Sequence, residues 1–284
     1  MADDSERLTS GAPLAGPPTI DFASATARWE AKLGNVRDLV RQELVARHLI
    51  LHLPEPTTTM RILDVGCGQG TQSIRLAARG YHVTGVDPSD ELLDRARADA
   101  ARALSGPEID RVNFRKGTLE SLGGDSASDG TPGSRSQFDV VCCHGVLMYL
   151  PSLSEAMQQL IGLVAPGGIL SVLTRNQSGI AMRAGMSRRW QAAIDGFAQT
   201  HYDNRLGVTS VRADSPSDVV AAAEASGASC IAWYGVRLFT DHWDDTFDVD
   251  DLDTLIEAEY TASLHDPYKQ LCALTHAVFR NASE

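Results

Sequence analysis

The chain has 284 residues, 43% of them apolar and 22% charged, which is enough to bury a sizeable core and excludes a fibrous or wholly disordered polymer. Its formal net charge of −12 opposes binding to a phosphate backbone, which draws on clustered Lys and Arg. Cys67, Cys142, Cys143, Cys230 and Cys272 form no C-x-x-C pair, so neither a disulfide framework nor a thiolate metal site is expected, and a reducing cytoplasm is the natural setting. No apolar run reaches the ~18 to 20 residues of a membrane span, and the first residues do not read as an export signal.

Residues 1–20 are rich in small, polar and proline residues that cannot bury enough apolar surface to order, and they read as a disordered tail ahead of one domain over 21–284. Between Asp21 and His52, Val36, Leu39, Val40, Leu44, Val45 and Leu49 recur at helical spacing and predict an amphipathic helix. Next comes Arg61-Ile-Leu-Asp-Val-Gly-Cys-Gly-Gln-Gly70, a strand run that breaks into three glycines at alternate positions and continues as a helix from Thr71 to Arg79. Glycine lets backbone approach a ligand closely, and this turn stands where α/β sheets bind nucleotides. The pattern G-x-G-x-G lacks the spacing of the dinucleotide fingerprint G-x-G-x-x-G, whose helix N-terminus holds a pyrophosphate, and it suits a ligand without phosphates. The following strand, Tyr81-His-Val-Thr-Gly-Val-Asp87, ends in a carboxylate able to accept hydrogen bonds from both hydroxyls of a ribose.

A helix over Ser89 to Leu104 and strands near Val112, Val140 and Ile169 continue the alternation, while 123–137 is a Gly- and Ser-rich surface loop. Residues 174–218 carry Arg175, Arg183, Arg188, Arg189, Arg205 and Arg212 with Trp190 and Tyr202, and their helical stretches lack a sheet partner, so they are expected to form a helical lid. A helix over 219–227, a strand from Ile231 to Phe239, an acidic helix from Val249 to Tyr260 and a strand from Leu271 to Arg280 complete the chain. The expected fold is α/β: a doubly wound, mostly parallel seven-stranded sheet with an antiparallel edge.

The run Leu63-Asp-Val-Gly-Cys-Gly-Gln-Gly70 and the acid Asp87 resemble the first two motifs of the class I S-adenosylmethionine-dependent methyltransferases. Phe138-Asp-Val-Val-Cys-Cys-His144 and Leu163-Val-Ala-Pro-Gly-Gly-Ile-Leu-Ser-Val172 resemble that family's fourth strand and its Leu-x-Pro-Gly-Gly approach to strand five, in the same order. Over Lys32 to the C-terminus the chain resembles more specifically the bacterial family that methyl-esterifies 5-carboxymethoxyuridine at the tRNA wobble position. Gly34 with Arg37, Gly235-Val-Arg237-Leu-Phe239-Thr-Asp241, Pro267-Tyr268 and His276 carry that likeness. The resemblance implies S-adenosylmethionine as cofactor and contacts at Arg37, Gly66, Cys67, Asp87, Leu119 and His144, with Asp64 and Gly68 belonging to the shared glycine motif. A guanidinium at Arg37 suits the methionine carboxylate.

Where the tRNA-modifying relatives have a lysine-rich run, this chain has Tyr202-Asp-Asn-Arg-Leu-Gly-Val-Thr-Ser-Val-Arg-Ala-Asp214. Together with the net charge, that departure favours a polar small-molecule acceptor over tRNA, and the resemblance to a class with sugar-methylating members implies a saccharide hydroxyl first. An alcohol acceptor needs a base, and His144, beyond strand four with an unperturbed pKa near ~6.5, is the candidate; a role in binding cofactor is the alternative. Arg237 and His276 are candidates to orient the acceptor, against a structural pairing of Arg237 with Asp241. The acidic run 241–253 lacks the glycine and closing glutamate of a calcium loop, and the sequence leaves a metal requirement open. Monomer and homodimer both stay open, as does a cofactor-binding scaffold without chemistry.

Overall fold

Ile62 to Val65 are buried on both faces, as a central parallel strand must be, and this run (β1, Arg61–Val65) sits in the middle of the sheet. The computed structural model describes residues 34–122, 137–204, 208, 210–244 and 249–282; the tail, the beginning of the first expected helix, nearly all of the 123–137 loop and Arg205 lie outside the described residues. The sheet runs β3 (Val112–Lys116), β2 (His82–Asp87), β1, β4 (Phe138–His144), β5 (Val164–Arg175), β9 (Leu274–Asn281), β8 (Ala228–Val236). The five strands up to β5 are parallel, and β9 is antiparallel to both of its neighbours. The expected seven-stranded fold is therefore present, with its one reversed strand lying just inside the edge.

Side-chain caps set several helix starts: Asn35 accepts from Asp38 N at α1 (Val36–Ile50), and Ser89 accepts from Leu92 N at the helix after β2 (Asp90–Ala103). The helix Thr71–Ala78 follows the glycine turn directly. Leu63, Val141, Met157, Leu160, Leu170 and Phe279 are fully buried in one cluster that fixes β1, β4, β5 and β9 against the helix Leu153–Gly162.

The 174–218 segment is only half helical. Helices Ser178–Met186 and Trp190–Gly196 give way to a two-stranded antiparallel ribbon, β6 (His201–Tyr202) with β7 (Val211–Arg212), before the helix Pro216–Glu224. Arg212 fastens this ribbon to the turn Leu147–Tyr149: its Nη2 donates to Leu147 O at 3.0 Å, Nη1 donates to Leu150 O, and Nε donates to Asp214 Oδ1 at 2.8 Å.

Strand β8 ends at Val236, earlier than the hydrophobic pattern suggests, because Arg237 adopts φ +63° and turns the chain. The backbone thrown out of the sheet there is caught by Glu259 on the helix Leu252–Leu264, buried with 1% exposure. Its carboxylate accepts from Leu238 N at 2.7 Å, Phe239 N at 3.0 Å, Thr240 N at 2.9 Å and Thr240 Oγ1 at 2.7 Å. The acidic run is not uniformly solvated: Asp241 is buried, while Asp251 caps the Leu252 helix by accepting from Thr254 N.

Candidate functional site

The carboxyl ends of β1, β2 and β4 converge on a cleft of about 280 Å³. Its floor is the turn Gly66 to Gly70. Gly66 has φ +69°, and a Cβ there would lie 2.1 Å from Val146 Cγ2, so only bare backbone lets the turn after β4 close against it. The turn amides are used internally: Gly66 N and Cys67 N donate to Val86 O at 2.7 and 3.1 Å, and Gly70 N donates to Cys67 O at 2.9 Å. Gly68 N donates to Asp87 Oδ2 at 2.9 Å. These four amides are spoken for, which matches a ligand without phosphates, since a phosphate site needs free N–H groups.

Asp87 also accepts from Ser89 N at 2.9 Å, and burial raises its pKa. Asp64 accepts from Ser73 Oγ at 2.6 Å; burial pushes its carboxyl up to about 6, the Ser73 bond opposing and the Asp87 charge adding. Burial likewise raises the Cys67 thiol, whose Sγ lies beneath Gly85, so Cys67 is no nucleophile. Leu92 and Leu119 supply apolar wall beside Asp87.

From α1, Arg41 and Gln42 line the cleft, whereas Arg37, one turn earlier, is buried and is not part of the lining. Arg41 went unnoticed in the sequence, although the i, i+4 spacing from Arg37 puts both on one helix face. Of the expected acceptor-orienting pair, neither residue reaches the cleft. Arg237 Nη2 pairs with Asp241 Oδ1 at 3.1 Å, and Arg175 Nη1 with Asp241 Oδ2 at 3.3 Å. Against the effect of burial, these guanidinium groups hold Asp241 well below the usual carboxylate range. His276 is fully buried between strands.

His144 does line the cleft, and its Nε2 lies 2.8 Å from Ser171 Oγ. Its basicity is not that of free imidazole: burial pushes its pKa down to about 3, with the Arg41 charge adding. Tyr149 lines the cleft and accepts from Asn204 Nδ2 at 2.9 Å. Tyr202 lies under Arg175, 4.9 Å from ring centre to Cζ, and Trp190, at the start of the helix Trp190–Gly196, is 66% exposed. Among the described residues there is no group of three His, Cys, Asp or Glu able to hold a metal, and no helix long and apolar enough to cross a membrane.

His48, His144 and His276 are all held neutral by burial, the first two at about 3 and His276 well below the usual histidine value. Depressed imidazole pKa values mean that the unfolded chain binds more protons, so stability is complete above ~6.5 and is lost as pH falls below it. Each ring contributes up to about 1.4 kcal/mol per pH unit in that window. Asp64, between ~3.8 and 6, and Asp87, also raised by burial, act in the opposite sense, but burial lowers His52 as well, so two carboxyls stand against four imidazoles. Thermal melts at pH 7.5, 6 and 5 should show a steeply falling midpoint, and a flat profile would contradict the burial of these rings.

A family model described as "Methyltransferase domain" matches residues 56–207. A ubiquinone biosynthesis O-methyltransferase of Methylocella silvestris is 32% identical over 52% of this chain and 55% of its own length, so the chain spans about half the length of such relatives. The tRNA 5-carboxymethoxyuridine methyltransferase of Escherichia coli K12 is 25% identical over 87% of this chain and 90% of its own. Among solved structures, magnesium protoporphyrin IX methyltransferase from Synechocystis PCC 6803 with bound SAH superposes with a TM-score of 0.59 at 16% identity, covering 92% of this chain and 95% of that one. The [4+2]-cyclase SpnF superposes at 0.55 and 19% identity, covering 86% and 80%. The same architecture thus supports more than one chemistry, and the site has to carry the functional argument.

Proposed function

Because the chain belongs to the methyltransferase-domain family of S-adenosylmethionine-dependent proteins, we propose that it transfers a methyl group to a hydroxyl oxygen of a polar small molecule. The observation that carries this reading is His144 lining the same cleft as Asp64, Asp87 and the glycine turn. S-adenosylmethionine, when bound, supplies an electrophilic methyl on a sulfonium. Asp87 is assigned to the ribose hydroxyls, Leu92 and Leu119 to the adenine faces, and Asp64 with Arg41 to the charged methionine end. The peptide turn from Gly66 through Cys67 to Gly68 provides the close surface on which the nucleoside rests. Residues 174–218 are assigned to the acceptor side as a lid on the domain.

His144 orients the acceptor hydroxyl and takes its proton as the carbon–oxygen bond forms. Its low proton affinity makes that transfer late in the reaction. His144→Ala should reduce methyl transfer about 10²-fold while S-adenosylhomocysteine affinity by calorimetry stays within about twofold. Equal loss of both would return His144 to a binding role, and no S-adenosylhomocysteine binding by the unaltered protein would leave only a scaffold.

A second reading, methylation of a carboxylate on tRNA, is favoured by the relative aligned over 87% of this chain and opposed by the net charge of −12. Transfer from methyl-labelled cofactor into a small-molecule extract and into bulk tRNA, followed by mild alkali, separates the readings. An ether label resists alkali and an ester label leaves as methanol. Alkali-labile label in tRNA would displace the first reading.

A further inference from the structure

Behind His144 a line of buried groups crosses the sheet. His144 Nε2 lies 2.8 Å from Ser171 Oγ, which lies 2.8 Å from His276 Nε2. His276 Nδ1 lies 3.3 Å from His48 Nδ1, and His48 Nε2 lies 2.8 Å from Ser263 Oγ. Ser263 Oγ is 2.6 Å from Tyr260 O. Ser171, His276, His48 and Ser263 are all fully buried.

The far end of this line gives it a direction. A carbonyl oxygen only accepts, so the Ser263 hydroxyl donates to Tyr260 O and must itself accept from His48 Nε2–H. A neutral imidazole carries one proton, so His48 Nδ1 is bare and His276 Nδ1 carries the proton that joins them. His276 Nε2 is then bare and accepts from the Ser171 hydroxyl, and Ser171 in turn accepts from His144 Nε2–H. That leaves the lone pair on His144 Nδ1, a buried atom with no hydrogen-bond partner among the described residues.

We infer that Ser171, His276, His48 and Ser263 are positioning residues that fix His144 as the Nε2–H tautomer, so that its bare Nδ1 accepts a hydrogen bond from the methyl acceptor. The inference rests on the hydroxyl-methylation reading for its last step and selects the acceptor class within it. A hydroxyl can donate to Nδ1, whereas a carboxylate would bring lone pairs against a lone pair. In the transfer the acceptor oxygen bonds the methyl carbon, the carbon–sulfur bond breaks with its electron pair going to sulfur, and the hydroxyl proton passes to His144 Nδ1. Positive charge leaves sulfur as it appears on the imidazole, so the cleft gains no net charge. The line ends on a carbonyl, which takes no proton, so it orients His144 and does not conduct protons away.

The test is made far from the cleft, on the full chain with S-adenosylhomocysteine bound and its histidines labelled with ¹⁵N. In the unaltered protein His144 should show a pyridine-type Nδ1 and a pyrrole-type Nε2; the reverse pattern overturns the inference. Ser263→Ala removes the anchor: the line as it stands then strands His48 Nε2–H deep in the protein, whereas the reversed line leaves its one open N–H on His144, which lines the cleft, so His144 should switch to Nδ1–H. Turnover should fall by on the order of 10²-fold with S-adenosylhomocysteine affinity unchanged, and Ser263→Thr, which keeps the hydroxyl, should restore both. Ser263→Ala that lowers stability but leaves the tautomer and turnover as they were would reduce the line to a structural device. The spectrum needs no acceptor, so the expected tautomer in a protein that methylates no hydroxyl would refute the proposed function and leave the fixed tautomer standing.

Discussion

Replacing Glu259 with Ala should lower the unfolding free energy by about 3–5 kcal/mol, a large share of the ~5–15 kcal/mol that holds a typical domain. The size follows from what the carboxylate leaves behind. The amides of Leu238, Phe239 and Thr240 and the Thr240 hydroxyl all converge on it, two of the amides in fully buried contacts, and no β-ladder reaches this stretch to take them up. Each buried donor deprived of its acceptor costs roughly 1–3 kcal/mol, with the total reduced by local relaxation. Glu259→Gln keeps one oxygen but turns an NH₂ toward a backbone N–H, so it should fall between Ala and the unaltered chain. Urea unfolding followed by circular dichroism reads the order directly, and a shift below about 1 kcal/mol for Ala would show that the segment finds other partners.

Asp87→Ala should weaken S-adenosylhomocysteine binding by on the order of 10²–10³-fold. The carboxylate holds Gly68 N and Ser89 N at 2.9 Å each, so it keeps the glycine turn in register with the helix after β2 before any ligand arrives. Two ribose hydroxyls donating to a charged acceptor are worth about 1.5–3 kcal/mol each, and part of that survives through water in the variant. Asp87→Asn should lose less, because one oxygen remains for the ribose. Calorimetric titration gives the affinities, and a parallel urea midpoint separates lost binding from lost folding. An Asp87→Ala protein that binds as tightly as the unaltered chain would remove Asp87 from the ligand assignment altogether.

What the sequence discloses here is what is local. The turn from Gly66 to Gly70, the carboxylate ending β2 and the helix that starts at Ser89 each depend on residues a few positions apart, and all three stand where the sequence reading puts them. The α/β alternation is legible for the same reason, since a parallel strand buried on both faces writes a continuous apolar run. The ribbon β6 with β7 is not, because two residues per strand leave no periodicity to read. Burial is not legible either, and it is what carries His144 from the ordinary imidazole range down to about 3. His48 and His276 lie 228 residues apart in the chain, and Glu259 meets its amides across a turn that only the positive φ of Arg237 creates. Contacts of that kind leave no pattern at any spacing a single sequence displays.

Arg212 ties the ribbon β6–β7 to Leu147 and Leu150, and between those two residues in the chain stands Tyr149, which lines the cleft. One guanidinium is thus the shared bolt of the ribbon and the cleft wall. Whatever shifts the ribbon is therefore expected to tug on that wall and to be felt by a ligand in the cleft without touching it.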